Sequence, residues 1–108
     1  MLLYKAKVEK SEQGEIKKLE GNYGTGYGLR VQAVLYSSSN PGNFLHLYDA
    51  DGDEFLFPIS GQGNPKVLLI DAPIAVKLPL SYLDISLGEN EIKVWGEVER
   101  LSTIETNL

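Results

Sequence analysis

The chain has 108 residues, 43% of them hydrophobic, no cysteine, and a net charge of −5. That length suits one domain, which can bury roughly two-thirds of its unfolded surface without disulfides or a structural metal. The missing cysteines exclude a thiol nucleophile and a Cys-ligated zinc, and the acidic balance argues against nucleic acid or anionic lipid as a partner.

The opening MLLYKAKVEK has an apolar run only from Met1 to Tyr4, far too short for a secretory leader. No stretch approaches the roughly 20 apolar residues of a membrane helix, so the chain reads as one domain over 1–108. Leu2, Tyr4, Ala6 and Val8 alternate with Lys5, Lys7 and Glu9, the period of a half-buried strand. Ser11 to Gly14 reads as a turn. EIKKLE reads as a short strand or one helical turn, and GNYGTGYG, Gly21 to Gly28, as a loop. From Leu29 a longer strand is expected, with Leu29, Val31, Ala33 and Leu35 on one face and Arg30, Gln32, Val34 and Tyr36 on the other. Turn formers from Ser37 to Asn43 end it.

Two apolar runs, Phe44 to Asp49 and Glu54 to Ile59, flank Ala50-Asp51-Gly52-Asp53. Asp-Gly between such runs predicts a hairpin, because the turn needs positive φ. After a loop over Ser60 to Pro65, two apolar runs follow, Lys66 to Asp71 and Ile74 to Leu78, parted by Ala72-Pro73. Tyr82 to Leu87 and EIKVWGEVE read as the last strands, and LSTIETNL is ambiguous. Pro58, Pro73 and Pro79 belong at strand ends, bulges or edges, since proline cannot donate to a ladder. The sum is an all-β chain of about seven to nine short strands, an antiparallel sandwich or jelly roll.

The candidate sites lie in the loops and on outward faces. Asp49, Asp51 and Asp53 alternate as calcium ligands can. Counted from Asp49, however, an EF-hand loop would need Gly at the sixth place and Glu at the twelfth, where this chain has Glu54 and Ser60. The three acids therefore read first as a wet hairpin tip and only secondarily as a metal site. GTGYG leads into a strand rather than a helix, so it lacks the helix N-terminus that holds phosphate; Tyr23 and Tyr27 in that loop are candidate partner contacts. His46 is the single histidine, without the companions of a triad or a His-rich metal site. Trp95 falls on the polar face of its strand with Lys93 and Glu97, and Tyr36 is likewise out of phase with the core. Outward aromatics of this kind suggest a protein interface or a sugar-stacking platform. No catalytic residue and no cofactor is assigned.

From Leu29 to Glu99 the chain runs LRVQAVLYSSSNPGNFLHLYDADGDEFLF and later APIAVKLPLSYLDISLGENEIKVWGEVE. This arrangement resembles small β-sandwich structural proteins of tailed-phage virions. The likeness lies in a core strand, a polar turn, a strand ending in Leu47-Tyr48-Asp49, a Pro-flanked apolar strand over Pro73 to Leu80, the Leu83-to-Ile85 strand, and a Val-rich close from Glu91 to Val98. Such chains often carry Gly-Ile where this one has Leu80-Ser81-Tyr82. Residues 1–28 have no counterpart and would be an added strand or arm with the glycine-rich loop. The resemblance implies a non-enzymatic protein located in the virion, a capsid decoration (cement) protein or a head, tail or fibre attachment. Its partners would be phage capsid or other virion proteins, and it would form a symmetric homo-oligomer, a trimer before other forms. The alternative is a carbohydrate-binding module stacking sugars on Trp95 and Tyr36.

Overall fold

The computed structural model describes residues 2–8, 14–38, 44–56, 59–60, 66–84 and 90–101. The sequence expectations for Ser11 to Gln13, for Phe57 and Pro58, and for Ile85 to Glu89 lie outside them. Among the described residues eight strands follow in chain order: β1 (Leu2–Val8), β2 (Lys17–Leu19), β3 (Tyr27–Ser37), β4 (Phe44–Tyr48), β5 (Ile59–Ser60), β6 (Lys66–Lys77), β7 (Leu80–Asp84) and β8 (Glu91–Arg100). They form two four-stranded antiparallel sheets, ordered β1-β8-β3-β6 and β2-β7-β4-β5. The first strand pairs with the last, the second with the seventh, the third with the sixth and the fourth with the fifth. That nesting is one long hairpin rolled up on itself, so the antiparallel sandwich is a jelly roll.

The core lies between the sheets. Tyr4 and Ala6 of β1, Leu29 and Val31 of β3, and Ile92 and Val94 of β8 face Leu45 and Leu47 of β4 with Leu80 and Tyr82 of β7. In β8 the alternation read from sequence holds: Ile92, Val94, Gly96 and Val98 are buried. EIKKLE contributes the short strand β2, and the two runs parted by Ala72-Pro73 belong to the single strand β6. That strand does not pair evenly, however. Leu69 lies opposite Ala33 while Ile74 lies opposite Val31, so the segment between skips the register. Pro73 falls within that irregular stretch of an edge strand, where a missing N–H costs least.

The face assignment in β3 fails. Leu29 and Val31 point inward as expected, but beyond them the buried residues are Val34 and Tyr36, not Ala33 and Leu35. The cause is a bulge. Val31 pairs with Gly96 and Ala33 with the adjacent Trp95, leaving Gln32 as an extra residue. One extra residue in a period-two element sends everything after it to the opposite face. Gly96 sits across from this bulge: a Cβ there would meet the Arg30 carbonyl oxygen and lie 2.6 Å from Leu29 Cδ1. The Gln32 side chain is tied down, its Nε2 donating to Glu97 Oε1 at 2.9 Å.

Candidate functional site

The bulge decides what the outer face of the β1-β8-β3-β6 sheet displays. Trp95 remains on that face, half-buried, with Lys5 of β1 on one side and Ala33 of β3 on the other. Leu69 of β6 continues the row beyond Ala33. The next row holds Lys7, Lys93, Leu35 and Val67. The face thus grades from lysines on the β1 side to exposed aliphatics on the β6 side, where Val67 is 50% and Leu69 74% accessible. Leu3, 54% accessible, adds an apolar residue beside Glu97.

Tyr36 is removed from the surface altogether. It is fully buried, and its hydroxyl donates to Asp84 Oδ1 at 2.9 Å. Asn90 Nδ2 donates to the other oxygen of the same carboxylate at 2.6 Å. Asp84 is itself fully buried. The cluster links β3 of one sheet to β7 of the other, so Tyr36 is a core strut and not an interface or stacking residue. Sequence reading missed Asp84, although a signal was present: it falls in phase with Leu80 and Tyr82, which places an acid on the core side of its strand.

The Asp-Gly turn forms as its signal indicated, but the run after it does not make the expected second strand: Glu54 forms only an isolated bridge to Tyr48, Leu56 takes a φ of 69°, and β4 next pairs with Ile59 and Ser60. Asp49 Oδ1 accepts the N–H groups of Asp51 at 2.9 Å and Asp53 at 3.0 Å, and Gly52 takes a φ of 84°. Carboxylate oxygens of Asp49, Asp51 and Asp53 come within 4.8 Å of one another. Asp49 thus organises the turn, while Asp51 and Asp53 project into solvent. The tip folds over the end of β6, where the Ala50 N–H donates to the Lys77 carbonyl at 3.0 Å. A cleft of about 230 Å³ opens there, flanked by the ion pairs Arg30–Glu99 at 2.8 Å and Lys77–Asp51 at 3.6 Å. Its charges answer one another within the chain.

His46 is a half-buried sheet residue whose Nδ1 lies 2.7 Å from Glu54 Oε1. The same Glu54, after burial as the larger cause, holds the nearby Tyr48 hydroxyl above its ordinary pKa. Tyr23 and Tyr27 meet edge to face at 5.0 Å and pack partly against the core. Tyr23 also walls a second cleft of about 220 Å³ with Asn22, Lys18 and Pro79. Of the sequence candidates, the structure joins the three aspartates in one tip and the two tyrosines in one contact. Among the described residues, it leaves Trp95 as the one outward aromatic on its sheet face.

No protein-family model, curated protein or solved structure matches this chain. The likeness to tailed-phage virion proteins therefore rests on the quoted residues alone. The two-sheet jelly roll is shared by viral shell proteins, lectins and cupins, so it selects no function among them.

Proposed function

We propose that this chain is a non-enzymatic structural protein, a capsid decoration (cement) protein of a tailed-phage virion, docking through the outer face of its β1-β8-β3-β6 sheet. Trp95 carries the reading. A tryptophan kept half-exposed on a sheet face, with Leu3, Leu35 and the β6 aliphatics around it, has the composition of an interface centre, and the lysines beside it form a polar rim. The placement in a virion comes from the sequence resemblance. Such a protein acts by mass action: it binds the assembled shell and not its loose parts, which stabilises the shell. Repetition over a symmetric particle turns weak single contacts into avidity.

The test is co-sedimentation with purified tailed-phage heads stripped of their decoration proteins. Saturable binding is expected, with Trp95→Ala weakening it roughly 30-fold, as for a central interface anchor. Absence of binding to any head preparation, together with a melting temperature that rises with oligosaccharide, would replace this reading with the carbohydrate-binding one. That alternative now has Trp95 but not Tyr36 to stack a sugar.

A further inference from the structure

An open sandwich leaves strand edges whose backbone groups invite pairing with other chains. In this protein nearly every edge is closed or short. The β1 edge is occupied by Gly21 and Asn22: Gly21 bridges to Ala6, and the Asn22 side chain accepts from the Lys5 N–H at 3.0 Å and donates to the Leu3 carbonyl at 3.1 Å. One amide side chain thus stands in for a strand. The outer strands of the second sheet, β2 and β5, have only three and two residues. The far end of β6 is capped at Lys77 by the hairpin tip. The longest apolar run of open edge that remains among the described residues is in the first half of β6, from Val67 to Ile70. It carries Leu69, which at 74% is the most accessible of the exposed large hydrophobic residues.

We infer that this segment of β6 is a self-association edge, and that its occupant is the same segment of a second copy, paired antiparallel about a two-fold axis. Charge favours a copy over other occupants. Two chains of net charge −5 repel wherever charged surfaces meet, but Val67-Leu68-Leu69-Ile70 holds no charge. Of the outer-face lysines, Lys5, Lys7 and Lys93 sit on β1 and β8, and Lys77 lies at the far end of β6, nine residues along the strand from Leu68 and away from the axis. The strip is flanked in sequence by one charge of each sign, Lys66 and Asp71, so a peptide of a single sign finds no net counter-charge there. The pattern is also self-complementary. A two-fold axis normal to the sheet preserves its faces, so with Leu68 near the axis Val67 of each copy lies beside Leu69 of the other. The product is one continuous eight-stranded sheet. A single strand pair covers less than the roughly 1,200 Å² of a stable complex, so the dimer is weak and concentration-dependent. The inference goes beyond the shell-binding reading and does not need it, because it uses the strand edge and not Trp95, which lies two strands or roughly 10 Å away.

The test is solution mass by light scattering from about 1 μM to about 1 mM protein, with amide exchange recorded at both ends of the range. The expected result is a rise from one to two copies, with added protection confined to Val67 to Ile70. Leu69→Lys, a surface change that spares the core, should weaken dimerisation at least about tenfold, while Trp95→Ala leaves it unchanged. A monomer throughout, a trimer, or a dimer lost with Trp95→Ala and kept in Leu69→Lys would overturn the edge assignment. None of these outcomes bears on whether stripped heads bind the protein.

Discussion

Tyr4 shows how burial alone sets the chemistry of a residue. Its side chain is 1% accessible, its hydroxyl has no hydrogen-bond partner among the described residues, and burial pushes its pKa from 10.0 to about 12. Gly21 packs so closely over the ring that a Cβ there would lie 2.6 Å from the hydroxyl. Below pH 10 the phenol is protonated in both the folded and unfolded chain. As pH climbs from 10 to about 12, the unfolded chain gives up the proton and the folded chain holds it. Stability therefore falls through that window by up to about 1.4 kcal/mol per pH unit, then levels off. Tyr4→Phe should lose that contribution to the alkaline slope and match or slightly exceed wild-type stability at neutral pH, since it deletes an unsatisfied polar group. Urea melts at pH 7 and at pH 11 check both points; an undiminished slope in the variant would assign the alkaline loss to other groups. Asp84 is the contrasting case, a buried acid whose two oxygens each receive a donor. Burial of that kind is tolerable only because both partners are in place.

At the scale of the element, the bulge in β3 and the glycine across from it act as one device. Gln32 shifts the strand by one residue, which exchanges Ala33 and Leu35 for Val34 and Tyr36 as the inward set. Gly96 supplies the space that the displaced backbone of β3 requires. Gly96→Ala should destabilise the protein by about 2–4 kcal/mol, because the added methyl meets backbone rather than a movable side chain, a case of overpacking between paired strands. Thermal denaturation measures it, and a loss under about 0.5 kcal/mol, the usual range for harmless surface changes, would mean the strands part easily here. Gly96 was visible in the sequence as a glycine in a strand whose other inward residues are Ile92, Val94 and Val98, a pattern that marks a bulge or a close backbone approach. The alternation of β3 gave no such sign, because both of its faces are rich in apolar residues.

At the scale of the whole molecule, the nested pairing joins the two ends of the chain: Leu2 lies across from Val98 and Val8 from Ile92. Such contacts form only after the intervening chain has been ordered, and the loop-closure entropy comes before the reward. Refolding should therefore take milliseconds to seconds, as in other sandwiches. Stopped-flow Trp95 fluorescence would follow it, and microsecond relaxation would show that local hairpins dominate the barrier. The same rolled topology creates the display surface, since it brings β1, β8, β3 and β6 side by side from distant parts of the sequence.

The division between sequence and fold follows from the range of the interactions involved. Local rules settled what neighbouring residues decide. Period-two alternation named β1, β3 and β8 and the inward set of β8, Asp51-Gly52 named the turn, and Trp95 on the polar phase of its strand was assigned correctly to the outer face. The closure of the β1 edge by Asn22 and the partnership of Tyr36 with Asp84 depend on residues 17, 19 and 48 positions apart, and the jelly-roll strand order on pairs as distant as Leu2 and Val98. Alternation within a strand carries no record of which distant strand lies beside it, so only the tertiary structure decided these. The face of Tyr36 turned on one unpaired residue, Gln32, which becomes extra only when β8 is laid against β3.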